Sequence, residues 1–132
     1  MIKKGIRMPV TIEEWKEHTQ SLSTNTEIET RCFAARYYYV AYHSVATLVD
    51  GLMDGGKGGM HEQLIHTLVN GFTSEPNSKE YKKVGYKLGA AKALRAKADY
   101  KLGTDFSESD LELLQSHVDT IITSVEKLSK AA

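Results

Sequence analysis

Cysteine is nearly missing from this sequence, and so are proline, net charge and any long apolar run. With Cys32 as the lone thiol there is no internal disulfide and no cysteine zinc site, which fits a reducing compartment, and a cytoplasmic location is expected. Lys and Arg number 17 against 17 Asp and Glu, so the total charge points to no class of partner. The longest apolar stretch is broken by Arg36 and His43, well short of the roughly 18 residues of a membrane span. The basic start MIKKGIRMPV runs into the polar TIEEWKEHTQ without the apolar core of a signal peptide. No membrane partner is expected. Strand signals are almost absent, and the chain has neither repeats nor a low-complexity tail. Its 132 residues are read as one domain, 1–132, long enough to bury a core without staples.

What is there is helix. Thr11 with Glu14 makes a capping box that opens a helix near 11–22, and Thr26 with Glu29 opens a long one reaching about Met53. In the long helix Ile28, Cys32, Ala35, Tyr39, Tyr42, Ala46 and Val49 recur at three and four, which marks them as its buried stripe. The loop DGGKGG at 54–59 breaks that helix, a short helix follows from Met60 to Phe72, and TSEPNS is the next break. From Lys79 to Leu102 the positions Val84, Leu88, Ala91, Leu94, Ala98 and Leu102 give another amphipathic helix, ended by Gly103. Ser107 with Asp110 caps the last one, which is expected to bury Leu111, Leu114, Val118, Ile121, Ile122, Val125 and Leu128. The sum is an all-α bundle of four to five helices.

Arg36 and His43 interrupt the aromatic stretch ARYYYVAYHSVATLVD, and they do so in register. Seven residues at roughly 100° each come to about 700°, so Arg36 and His43 share one helix face two turns apart and can touch one ligand together. Glu29 and Asp50 lie on the same face, seven residues to either side, placed to orient a neighbouring base or to keep the face solvated. Tyr38, Tyr39 and Tyr42 are expected at core or dimer contacts rather than as base-stacking platforms. His61 and His66 are five apart, which is not the spacing of a helical zinc pair, and no metal or other cofactor is expected. Arg95 falls on its helix's apolar stripe four before Asp99, which allows an ion pair with its stem on the core, or a phosphate contact. Between Lys79 and Lys101 there are eight basic residues and two acidic ones, whereas 102–132 holds two basic and six acidic. Lys82, Lys83 and Lys87 on the basic helix either follow a phosphate backbone or keep a helix surface in water.

The pair, in its context, resembles the signature of the HEPN superfamily (higher eukaryotes and prokaryotes nucleotide-binding domains): an arginine, four to six residues, then a histidine. Here the gap is six. One branch of that superfamily carries an R-A-Y-Y-A-x-F-H helix, with which Arg36, Tyr38, Tyr39, Tyr42 and His43 fall in step. The glycine-rich loop ending in a histidine within GGKGGMHEQLIHTLVNGF is similar to the same branch. So is AKALRAKADY, which follows an L-x-x-x-R-x-x-A-D-Y pattern with Ala91 in place of the leucine. The likeness spans 26–128.

That resemblance implies a four- or five-helix up-and-down bundle, usually a homodimer in which the two arginine and histidine motifs face one another across the interface. It implies a metal-independent endoribonuclease, of the kind found in toxins and phage defence, or a domain that binds nucleotide or RNA and partners a nucleotidyltransferase, an antitoxin or a larger defence complex. The catalytic role would fall on Arg36 and His43. Cleaving RNA without a metal means removing the 2′-hydroxyl proton, stabilising a phosphorane and protonating the departing 5′-oxygen. Histidine titrates near neutrality and arginine offers a planar charged fork, so the two residue types suit those steps. Active ribonucleases of the superfamily commonly carry a polar residue, often Asn, Asp or His, after the arginine, where this chain has Tyr37, whose hydroxyl can bond a phosphate or whose ring can stack on a base. Tyr37, His61, Lys82, Lys83, Lys87 and Arg95 are the candidate substrate contacts.

Overall fold

A computed structural model of the protein describes residues 9–49 and 59–131, with the backbone alone at position 131. The chain runs through α1 (Ile12–Gln20), α2 (Glu27–Leu48), α3 (Met60–Asn70), α4 (Ser78–Tyr100) and α5 (Glu108–Ala131), with no strand among the described residues. The expected reach of the second helix to Met53, most of the glycine loop at 54–59 and Asp50 lie outside the described residues.

Local sequence sets the helix starts. At α1 the Glu14 amide donates to Thr11 Oγ1 at 3.0 Å and the Thr11 amide donates to Glu14 Oε1 at 3.0 Å. At α2 the Glu29 amide donates to Thr26 Oγ1 at 3.3 Å, and the amides of Asn25 and Thr26 both donate to Glu29 Oε1. At α5 Ser107 and Asp110 exchange the same pair of bonds, and Asp110 also takes Lys97 Nζ from the last turn of α4 at 2.9 Å. A cap of this type is worth about 1 kcal/mol, so these short boxes decide where helices begin but not how they pack.

Packing is decided by α2, which lies against α1, α4 and α5, while α4 also carries α3. Phe33, Ala34, Tyr37, Tyr38, Val40, Ala41 and Val45 are buried from α2, together with Leu64 and Leu68 of α3, Val84, Leu88 and Ala91 of α4, and Leu111, Leu114, Val118 and Ile121 of α5. The expected stripe of α2 therefore holds at Val49, in part at Tyr39, Tyr42 and Ala46, and fails at its N-terminal end. Ile28 is 65% exposed and Cys32 is exposed, while Tyr39, Tyr42 and Ala46 only flank the core. The physical reason is that α2 meets neighbours on more than one side and carries apolar or aromatic residues around most of its circumference, so several three-and-four stripes fit it equally well. On α5, with one face on the bundle, the stripe falls as expected, Ile122 and Val125 being partly buried.

Two glycines of α4 meet α3 differently. A Cβ on Gly85 would stand 2.8 Å from Val69 Cγ2 and 3.0 Å from Leu68 Cβ, whereas on Gly89 the nearest atom would be Ile65 Cδ1 at 3.9 Å. Gly85→Ala should therefore overpack the α3–α4 contact and destabilise by about 1–3 kcal/mol. Gly89→Ala meets only ordinary contact and should stabilise by about 0.5–1 kcal/mol through helix propensity. Urea titrations of the two variants read the opposite signs directly; equal signs would refute the close approach at Gly85.

Candidate functional site

Arg36 and His43 are both exposed on one face of α2, and Trp15 of α1 stands between them. The indole Nε1 donates to the Arg36 carbonyl at 3.0 Å, the Arg36 guanidinium carbon lies 5.9 Å from the indole centroid, and the His43 ring meets the indole edge-on at 5.9 Å. Trp15 thus docks α1 at the motif itself. A groove of about 590 Å³ between α1 and α2 opens beside it, lined in part by Trp15, Leu22, Cys32 and Arg36.

The other side of His43 is a cluster of rings. Its imidazole lies 5.4 Å from the Tyr42 centroid and 6.0 Å from that of Tyr39. His61, in the first turn of α3, stacks on Tyr42 at 4.3 Å and meets Tyr39 edge-on at 5.8 Å. Its Nδ1 shares a 2.6 Å hydrogen bond with the hydroxyl of Tyr38, which is fully buried. Burial holds the His61 pKa below the usual histidine value, and the positive charges of Arg95 and Lys92, with His43, add to the effect. Burial pushes the Tyr38 phenol up, so its hydroxyl keeps its proton.

Arg95 joins this cluster from α4. Its guanidinium lies 5.5 Å from the centroids of both Tyr39 and Tyr100. Its Nε is 2.8 Å from Asp99 Oδ2, although the N–H is not aimed for a hydrogen bond, so the contact is Coulombic in character. The i, i+4 ion pair read from the sequence is thus present, and the same side chain reaches the ring cluster. Lys92, one turn earlier, pairs with Glu62 at 3.7 Å. His43, His61 and Arg95 gather around Tyr39, and Trp15 joins Arg36 to His43.

Tyr37, expected among the substrate contacts, lies elsewhere. It is 2% exposed, and its hydroxyl donates to Asp119 Oδ1 of α5 at 2.6 Å. One residue past Arg36 is a 100° turn, which aims the ring into the α2–α5 contact and away from the motif face. Lys82, Lys83 and Lys87 line a separate shallow groove of about 520 Å³ with Tyr86 and His117. Lys83 is also 3.2 Å from Glu80. Glu29 Oε1 accepts from Ser23 and from the amides of Asn25 and Thr26 at the start of α2. Among the described residues no three His, Cys, Asp or Glu side chains converge as a metal site, and no helix is long and apolar enough to cross a membrane.

Sequence reasoning passed over Trp15, His117 and Arg31. Trp15 had a signal, being the only tryptophan and lying in a capped helix directly before the motif helix. His117 had none, because only the α4–α5 contact brings it to the lysines. Arg31 is buried and stands seven before Tyr38 and fourteen before Val45, both buried, so the heptad spacing carried its signal.

No family model, no curated protein and no solved structure matches the chain.

Proposed function

We propose that this chain is a metal-independent endoribonuclease of HEPN type, working as a homodimer with an up-and-down bundle in each protomer. The observation that carries the reading is the exposed Arg36 and His43 pair on one face of α2, with His61 and Arg95 gathered beside it over a floor of tyrosines. In this reading Arg36 grips the non-bridging oxygens of a scissile phosphate in bidentate fashion. His43 exchanges a proton with the reacting oxygens, and the Trp15 groove gives the adjoining nucleoside an apolar wall. The attack of a 2′-oxygen on its own phosphate leaves a 2′,3′-cyclic phosphate and a 5′-hydroxyl.

Incubating the purified protein with total RNA in EDTA, followed by end-group analysis, tests this. Cyclic-phosphate ends that accumulate in EDTA are the expected result; intact RNA, or 3′-hydroxyl ends, would refute it. The lysine groove serves the same substrate in this reading. Converting Lys82, Lys83 and Lys87 to Gln should weaken RNA binding about equally for all sequences, each lost phosphate contact flattening the logarithmic salt dependence by roughly 0.7. A slope unchanged from wild type would leave these lysines as a solvated helix surface.

A further inference from the structure

We propose that His61 is the general base of the cleavage and His43 the general acid, so that a single protomer holds both proton-transfer groups; this rests on the ribonuclease reading above. The two imidazoles flank the same phenol ring, His61 stacked on Tyr42 at 4.3 Å and His43 edge-on to it at 5.4 Å, and both also touch Tyr39. They are neighbours across two shared rings, and His43 links them to Trp15, on which Arg36 lies.

The buried Tyr38 hydroxyl decides which atom of His61 can react. It occupies Nδ1 at 2.6 Å, so Nε2 is the nitrogen left for a ligand. The base role assigns the Nδ1 proton as the donor to the tyrosine oxygen, which leaves the lone pair on Nε2; fixing a tautomer through the other ring nitrogen is how orienting groups work in nucleophile and base pairs. The charged groups acting on the ring favour its neutral form. Arg95 and Lys92 face it from α4 and His43 from α2, each lowering its pKa in addition to burial. The nearby carboxylates are engaged, Asp99 with Arg95 and Glu62 with Lys92. A neutral, oriented imidazole next to an exposed one is a division of labour that tyrosines and cations impose on two chemically identical side chains.

The step balances without a co-reactant. His61 Nε2 takes the 2′-hydroxyl proton as the 2′-oxygen to phosphorus bond forms. The bond from phosphorus to the 5′-oxygen breaks with its electron pair leaving on oxygen, and that oxygen takes a proton from the His43 imidazolium. Arg36 carries the charge on the non-bridging oxygens. Water then resets both histidines.

A leaving group that needs no proton separates the two roles. With RNA whose scissile 5′-bridging oxygen is replaced by sulfur, the thiolate departs unprotonated, so the acid becomes dispensable and the base does not. His61→Ala and His43→Ala should each lose about a hundred- to ten-thousand-fold on ordinary RNA. The sulfur substrate should restore His43→Ala and leave His61→Ala inactive. The acid limb of the pH profile should vanish in His61→Ala and the alkaline limb in His43→Ala, and added imidazole should partly rescue His61→Ala. Tyr38→Phe, which keeps the ring and removes only the hydroxyl, should lose about tenfold, in kcat rather than in KM. Should His61→Ala fail to fold, Tyr38→Phe and the ring nitrogen spectrum of the wild-type protein decide, the latter expected to show the proton on Nδ1. Full activity in folded His61→Ala, rescue of that variant by sulfur, or a wild-type proton on Nε2 overturns the assignment while the ribonuclease stands. A wild-type protein that cleaves no RNA overturns both.

Discussion

His43→Ala should lower the rate of RNA cleavage by about a hundred- to ten-thousand-fold, the usual cost of removing a proton-transfer residue, while the protein still folds. The exposure of His43 is what makes the two effects separable. Its ring touches Trp15, Tyr39 and Tyr42 only at the edges of the cluster, at 5.4 to 6.0 Å between centroids. Losing such contacts costs on the order of 1 kcal/mol, too little to unfold a domain. Arg36→Lys is the sharper companion. It keeps the charge but replaces a planar fork with a point charge, so it should be nearly as damaging as Arg36→Ala if two parallel hydrogen bonds hold the phosphate. Thermal melts and light scattering run beside the assay give the decisive contrast. Should both substitutions unfold the chain or change its oligomeric state, with wild type cutting no RNA, the pair is architectural and the enzyme reading fails.

The parts of this molecule that the sequence made legible are those encoded within one turn. Thr11 with Glu14, Thr26 with Glu29 and Ser107 with Asp110 each complete their reciprocal bonds three residues apart, so a four-residue window suffices to read them. The α5 stripe was legible because one face of that helix meets the bundle. The buried face of α2 was not, because its rings point in nearly every direction and periodicity alone cannot choose among them. Tyr37 and Tyr39 illustrate the consequence: two residues apart, one is buried and donates to Asp119 of α5, and the other lies under the Arg95 guanidinium beside His43. Arg36 and His43 could be paired from spacing within a single helix. His61 could not, since its bond to Tyr38 spans a segment of 23 residues and depends on how α3 returns to α2. Arg95 was half legible, its partner Asp99 being local and its ring contacts being tertiary.

Arg31→Met should be the most destabilising single change outside the apolar core. The side chain is 5% exposed and knits the middle of the molecule together. Its Nε donates to Glu27 Oε2 at 3.0 Å, and Nη1 donates to the carbonyls of Lys97, Ala98 and Lys101 at 3.2, 3.0 and 3.3 Å. Nη2 donates to the carbonyl of Thr104. These acceptors are the end of α4 and the turn that follows it, where carbonyls lack intrahelical partners and a helix dipole presents its negative pole. A cation from α2 therefore caps α4 from the side, and the guanidinium also lies 5.9 Å from the Phe106 ring that plugs the turn. Methionine fills much of the same volume but takes the charged donor from these carbonyls, the buried one of Ala98 among them, while those of Lys97 and Lys101 keep backbone partners. Leaving a buried acceptor without its charged donor costs about 1–3 kcal/mol, a fall of roughly 4–10 °C in Tm for a chain of this length. Arg31→Lys should recover only part of it, because an ammonium cannot reach acceptors on both prongs of the fork. Glu27→Gln should cost little, since that carboxylate is 49% exposed and water replaces what it gives Arg31. Denaturation of the three variants therefore has an ordered outcome, Met worst, Lys between and Gln near wild type. A melting curve for Arg31→Met that overlays the wild-type curve would show that α4 closes without its lateral cap.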